Sequence, residues 1–453
     1  MTLRRASSVI LVTLASVALV ACNSIHLPWQ QERNHGHASP GERISLLELS
    51  DQLRVADSLR GQDFFLPPPA PQADWPVAGG TLEQSVEHVA AAPDFQIAWR
   101  TSFGRGSNRR MHVMAPPIMA DGKVFLMDAM AEVSAHDAHT GATLWRANLM
   151  PKSKRDREAF GGGLAFAGGK LYAASGFRLV AQLDPGTGHV DWTTRTDAPI
   201  HAAPTVADGR VFVVDVNDQL QTFDASSGAA DWNYQALTEP ARILAASSPA
   251  VSGDTLVASF ASGELVALRA SNGTELWNES LSHTTRSNAL SEIRDIAGRP
   301  VIYKGDVFAV SHAEVFAATD LRTGSPRWSL PVSGITTPWP AGDVVFVVDQ
   351  PGHVICALRS SGQIYWITDL NAPTKPPKGD KPAKRGRAVW TSPVLASNRL
   401  ITASSTGEVV ALNPKTGAIV GRIHIGDDAL IGPIAADGLV YLATQKADLI
   451  AIR

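Results

Sequence analysis

One phrase recurs along the chain. An apolar run leads through a glycine turn to V-F or V-Y, a second polar turn and alternating hydrophobics follow, and the phrase closes on T-G or S-G with a tryptophan four residues after the glycine. The copies read TGATLW ending at Trp145, TGHVDW at Trp192, SGAADW at Trp232, NGTELW at Trp277, TGSPRW at Trp328 and SGQIYW at Trp366. A seventh, TGAIVG, carries Gly421 in the tryptophan's place, and upstream FQIAWR supplies Trp99 with no T-G before it. The eight aligned positions are spaced by 38 to 55 residues, with a mean of 46. A period of that size fits paired-helix solenoids or four-stranded propeller blades.

Side-chain periodicity decides for strands. RVFVVDV, QLQTF, ELVALRA, DVVFVVD and EVVALNP alternate or run apolar for only five to eight residues, are rich in Val, Phe and Leu, and are bounded by glycine-containing turns. A blade that buries both faces against its neighbours is not stable alone, so the ring must close. The last copy, PIAADGLVYLATQKADLIAIR, stops at Arg453 after three strands, and the orphan strand holding Trp99 is the missing fourth. Pairing the two removes open edges. The expected fold is all-β: a single eight-bladed β-propeller of four-stranded antiparallel blades, with residues 95–100 closing blade 8.

In A-x-D-x-x-T-G-x-x-x-W, complete in Ala135, Asp137, Thr140, Gly141 and Trp145, the Asp and Thr-Gly form the turn from third to fourth strand. The indoles of Trp99, Trp145, Trp192, Trp232, Trp277, Trp328 and Trp366 are expected to dock blade on blade, each burying about 150–250 Å² and needing one N–H partner. Gly421 breaks the set, which predicts the weakest contact between its blade and the next.

Charge and cysteine usage bound the setting. The net charge of −3 offers no global attraction for nucleic acid. Arg4 and Arg5 precede a thirteen-residue apolar run, residues 8–20, too short for a spanning helix of about 20 residues but apt for a secretory signal. Leu19-Val20-Ala21 before Cys22 resembles the bacterial lipobox, which implies removal of residues 1–21 and acylation of Cys22; Asn23 after it implies an outer-membrane anchor. Losing residues 1–21 takes away two arginines and no acid, moving the net charge from −3 to −5. The domain reading is a signal peptide over 1–21, a lipidated cysteine and periplasmic tether over 22–75, and the propeller over 76–453. Cys356, in the apolar run HVICAL, has no partner for a disulfide and reads as a small core residue.

The turn motif is similar to the tryptophan-docking repeat of the pyrroloquinoline-quinone dehydrogenase superfamily. A lipobox followed by one propeller, with segments such as GGGLAFAGGKLY, AAPTVADGRVFVV and SGELVALRA, resembles the BamB family of lipoproteins of the outer-membrane β-barrel assembly machinery, over about residues 40–453. That resemblance implies a monomeric, non-enzymatic scaffold at the periplasmic face of the outer membrane. It would bind the periplasmic domain of BamA and other subunits of the machinery, and assist nascent outer-membrane proteins, which exposed blade edges could hold by strand addition. A propeller that binds polysaccharide or another envelope protein is the alternative.

A quinoprotein dehydrogenase would need a vicinal cysteine pair, and residues 23–453 hold one cysteine. The aspartates Asp121, Asp137, Asp184, Asp208, Asp224 and Asp320 fall at turns, not in a calcium set of six to eight oxygens. Gly168–Lys170 does not complete a P-loop, and no G-x-S-x-G occurs. His136 and His139 occupy variable positions of the turn motif and read as a solvated turn rather than metal ligands, and His35 and His37 read as tether. No catalytic residue, metal or cofactor is expected.

Long connections mark candidate contacts. Residues 100–112, 151–158 and 371–389 are basic and occupy equivalent places in the repeat, so a ring puts them on one face. Two more of the same type, 239–247 and 280–299, mix apolar residues with charges. In BamB-like proteins these places contact BamA. The resemblance implies Ile243 and Leu244 as apolar anchors, Asp295 as a polar contact and Arg242 as the cationic partner, with Ala297 where a second acid is expected.

Overall fold

The computed structural model describes residues 53–151, 159–238, 247–281, 294–372 and 387–453, which form one compact unit, Leu53–Arg453. Eight four-stranded antiparallel sheets make the expected propeller. Blade 1 runs Ile118–Ala120, Lys123–Met127, Glu132–Asp137, Thr143–Asn148. Blades 2 to 7 repeat this order over 162–195, 205–235, 250–280, 301–330, 339–369 and 394–424. Blade 8 takes three strands from 434–452 and its fourth from Ile97–Ser102. That closing strand pairs with Asp448–Ile452, setting Trp99 opposite Ala451 and Ser102 opposite Asp448.

Burial follows strand position. First strands such as Ile118–Ala120 and Val394–Ala396 are wholly buried at the axis, while fourth strands such as Thr143–Asn148 and Ala230–Gln235 alternate exposed with half-buried residues on the rim. This is the pattern expected where one edge faces the ring's centre and the other faces water. Cys356 sits in this packed interior, and burial pushes its thiol well above the ordinary value. His136, expected on a solvated turn, is instead wholly buried at the end of Glu132–Asp137, its ring nitrogens bonded to the Gly141 carbonyl and the Ser134 hydroxyl, and burial lowers its pKa; His139 is the exposed one.

The turn motif works as its residues imply. Asp137 accepts hydrogen bonds from the Thr140 amide at 2.8 Å and the Thr140 hydroxyl at 2.7 Å, and the Asp184, Asp224 and Asp320 turns repeat the arrangement. Side-chain hydroxyls, then amides, hold all four carboxyls below the usual range, Asp224 at about 2.

Each indole lies on the turn glycine of the following blade. A β-carbon added at Gly188 would stand 2.5 Å from the Trp145 ring, and at Gly141, Gly228, Gly273, Gly324, Gly362 and Gly417 it would meet the indole of the preceding blade at 2.5–2.8 Å. The indole N–H donates to the carbonyl of the residue after the turn's first position: Trp145 to Pro185, Trp192 to Ala225, Trp277 to Leu321, Trp328 to Arg359 and Trp366 to Pro414. Two indoles depart from this: Trp232 Nε1 and Trp99 Nε1 have no partner among the described residues, and for Trp99 the equivalent acceptor, Ala138 O, takes its bond from the Tyr441 hydroxyl.

At Gly421 the repeat is inverted rather than broken. Four residues before Trp99, where other blades have the turn glycine, stands Phe95, with a φ of +52° against +69° to +74° for those glycines. Its ring lies over Gly421, where a β-carbon would come within 2.8 Å of it. Blade 7 therefore contributes the glycine and blade 8 the aromatic, and Phe95 is buried. The expectation of a weak contact overlooked this exchange. It also explains why the closing strand starts at Ile97: Phe95 is spent in the turn.

The residues ahead of the ring supply one more layer. From the stretch expected as a tether, Ala56 bonds the Ile364 carbonyl, Phe65 the Asp343 carboxylate and Ala70 the His88 carbonyl. Trp75–Ala92 then crosses the axis against the first strands in turn. Trp75 exchanges two hydrogen bonds with Met119 of blade 1; the Pro76, Leu82 and Glu83 carbonyls accept from Phe166, Val251 and Ile302; Val89 donates to the Leu395 carbonyl. Val77 joins the apolar cluster that includes Val206 and Val211 of blade 3, and the Glu87 carbonyl accepts from the Trp339 indole of blade 6. Inner edges that would otherwise be open are met one residue at a time.

Candidate partner-binding face

Because strands alternate in direction, the connections from fourth strand to next first strand share one face with the turns from second to third strand. The 239–247 and 280–299 connections enter and leave blade 4 on that face. Residues 239–246, with Arg242, Ile243 and Leu244, lie outside the described residues, as do 282–293.

Their described shoulders are firmly held. Glu264, at the start of the third strand of blade 4, is buried and accepts three hydrogen bonds of 2.8 Å, from the Leu237 amide, the Ser262 hydroxyl and the Asn278 amide. Leu237, just before the loop that holds Ile243 and Leu244, is 69% exposed. Across the blade, Asp295 is 2% exposed, its carbonyl accepts the His312 amide, and the neighbouring Arg294 and Ile296 carbonyls accept the Ser311 and Ser259 hydroxyls. Asp295 is therefore a buried residue of the loop's base, with exposed Arg294 beside it and Ala297 buried. The sequence reading missed Leu237 and Glu264; the one available signal was a leucine next to a loop already singled out, and its exposure shows only in the structure.

The first two basic connections meet on the same face. Met111–His112 pairs in parallel with Ala159–Phe160, tying 100–112 to the end of the next connection, and Arg105, Arg109 and Arg110 are exposed. Lys152, Lys154 and Arg155 lie outside the described residues, as does 373–386. The base of the third connection is clamped by Asn371, which donates to the Pro351 and Ala388 carbonyls and accepts from the Ala388 amide and the Trp390 indole. The seven tryptophans lie against glycines of the third-to-fourth-strand turns, which are on the opposite face. Among the described residues no group of three His, Cys, Asp or Glu is placed to hold a metal, and no helix is long and apolar enough to cross a membrane.

Comparison with known proteins places this geometry. A family model described as outer membrane protein assembly factor BamB matches residues 129–368 and 378–453. The BamB of Shewanella oneidensis is 24% identical over 366 residues, 79% of this chain and 88% of its own, and that of Escherichia coli K12 is 25% identical over 360 residues, 78% and 88%. Among solved structures, BamB from Moraxella catarrhalis aligns with a TM-score of 0.64 at 18% identity, covering 78% of this chain and 99% of that one. A europium-containing methanol dehydrogenase aligns with a TM-score of 0.65 at 13% identity, covering 82% and 89%. The propeller is thus common to assembly factors and oxidoreductases, and fold alone does not choose between them.

Proposed function

Since the chain belongs to the BamB family of outer membrane protein assembly factors, we propose that it is a non-enzymatic scaffold of the β-barrel assembly machinery. It acts at the periplasmic face of the outer membrane and is held there by a lipid on Cys22. The observation that carries this reading is the family match, which spans more than two thirds of the chain. The lipobox-like Leu19–Cys22 supports the anchor, and the single buried cysteine leaves no vicinal pair for quinone chemistry.

The partner is the periplasmic domain of BamA, docked on blade 4. Ile243 and Leu244 supply the apolar anchor, continued by exposed Leu237, in a polar rim that includes Arg242 and Arg294. A small desolvated apolar centre within a polar rim is the usual energetic core of such contacts. Asp295 serves by fixing the base of the second loop. The exposed arginines of 100–112 add an attraction that salt weakens.

The test is a detergent pull-down of the native lipoprotein with mass spectrometry of its partners, repeated with Ile243→Asp and Leu244→Asp. Recovery of BamA by the wild type and its loss from both variants is expected. Equal recovery removes the blade 4 site, and no recovery by the wild type removes the scaffold reading. Labelling with a palmitate analogue, abolished in Cys22→Ala, tests the anchor.

A further inference from the structure

Seven first strands are preceded directly by proline: Pro117, Pro204, Pro249, Pro300, Pro338, Pro393 and Pro433. The residue ahead of that proline stands at the axial mouth of its blade, and along the chain it is Pro116, Ala203, Ser248, Arg299, Thr337, Ser392 and Gly432. Six are uncharged, and Arg299 alone carries a charge. Five of these equivalent positions, Arg299 among them, wall a cavity of about 40 Å³ on the ring axis, floored by Trp75, Gly79 and Gln84 of the crossing segment.

The polar groups of this cavity are incomplete. Arg299 donates its backbone N–H to Thr337 Oγ1, yet among the described residues its guanidinium meets no carboxylate, and the buried Nε has no acceptor. Burial lowers its pKa to about 10, which leaves it charged at neutral pH. Gln84 is 3% exposed; its Nε2 donates to the Pro249 carbonyl, and its Oε1 is a buried acceptor with no donor. A half-buried cation whose Nε is buried without an acceptor, and a buried orphan acceptor, are each costly, and retaining both around one cavity calls for a ligand that answers both.

We propose that this axial cavity binds a small carboxylate anion, with the carboxylate on the Arg299 guanidinium and, in a hydroxy acid, the hydroxyl donating to Gln84 Oε1. A guanidinium presents parallel N–H groups that match a carboxylate. One cation is neutralised by a monoanion, whereas a phosphate dianion would leave excess negative charge in a poorly solvated site. The room available holds a few non-hydrogen atoms, the size of acetate or glycolate. The inference is independent of the assembly role.

The experiment titrates the full chain in detergent with acetate, glycolate and inorganic phosphate by calorimetry, at ionic strength fixed with chloride. Saturable one-to-one binding of glycolate is expected, tighter than acetate by at least threefold and tighter than phosphate. Arg299→Gln should weaken glycolate at least tenfold, and Gln84→Met should erase its advantage over acetate. Should Arg299→Gln not fold, Arg299→Lys keeps the charge without the fork and should still weaken binding severalfold. Absence of saturable carboxylate binding, undiminished binding in the arginine variants, or tighter phosphate than glycolate overturns the proposal. Equal glycolate and acetate affinities overturn the role of Gln84.

Discussion

Gly188→Ala should destabilise the ring by more than its backbone alone explains, and Gly122→Ala supplies the reference. Both glycines have left-handed φ, +74° and +69°. A left-handed alanine costs about 1–2 kcal/mol through contact of its β-carbon with the carbonyl oxygen. Gly122 has nothing within 4 Å of an added β-carbon, so its substitution should cost that strain only. At Gly188 the same carbon meets Trp145 at 2.5 Å from Cε3 and 2.9 Å from Cδ2 and Cζ3, so the indole must lift off the turn. Forcing a methyl group into such packing adds about 1–3 kcal/mol. Lifting also threatens the 3.0 Å bond from the indole to the Pro185 carbonyl. The expected total for Gly188→Ala is about 2–5 kcal/mol, a gap of about 1–3 kcal/mol over Gly122→Ala. Guanidinium denaturation followed by far-ultraviolet circular dichroism reads this without using tryptophan as both probe and target. In a Trp145→Leu background the gap should shrink, because the ring that resists the methyl is gone. Costs for the two alanines within about 0.5 kcal/mol of each other, the limit within which independent sites add, would refute the docking account.

Three further outcomes test the same architecture. Phe95→Gly and Gly421→Trp should each destabilise, by emptying and by overfilling the same space, while the double variant restores the arrangement of the other blades and should be more stable than the sum of the two predicts, read as a double-mutant cycle in denaturant. Trp145→Phe should cost about 0.5–1.5 kcal/mol more than Trp99→Phe, because one loses an indole hydrogen bond and the other, with its acceptor taken by Tyr441, has none to lose. Carboxyls lowered in the folded state contribute stability above the ordinary value of 3.8 and lose it as pH falls toward the folded value, about 2 for Asp224, so the melting temperature should drop between pH 4 and pH 2 and drop less steeply in Asp224→Ala. An unchanged slope in that variant would remove Asp224 from the acid response.

The ring was legible because its information is local and repeated. Asp137, Thr140, Gly141 and Trp145 lie within one turn and strand, and alternation such as QLQTF needs no distant partner to be read as a strand. Ring closure followed from a count, since three strands at one end and one at the other fit a single pairing. The crossing segment was not legible. In DWPVAGGTLEQSVEHVAAAP, interrupted by Pro and Gly, successive residues pair with different first strands, so no period of two or 3.6 develops. The blade 4 site was legible only as loop position and resemblance. Burial of Asp295 depends on Ser311 and His312 in the next blade, and Leu237 is held by the Glu264 carboxylate of the next blade, neither of which a linear reading exposes.

Departures from the repeat carry more information than its copies. Phe95 in a strand-rich stretch and Gly421 in a tryptophan's place each look like a defect, yet together they form one contact between residues at opposite ends of the chain. The exchange sits at the closing blade, where the turn from third to fourth strand has no covalent link because the chain begins its ring on one side and ends it on the other. A glycine-rich turn there would have nothing to hold its shape, whereas a buried phenyl ring fixes Phe95 from the side chain outward, and the Gln96–Arg453 pair of backbone bonds completes the joint. Tyr441 belongs to the same adjustment, since its hydroxyl takes the Ala138 carbonyl, whose equivalents in five other turns receive an indole. By the same logic Arg299, the one charge among seven equivalent axial positions, is a place where the repeat has been altered for something other than closing the ring. Structural repetition would favour a small neutral residue there, as in six of the other seven blades. The charge, kept beside an orphan acceptor, is therefore best explained by what it binds.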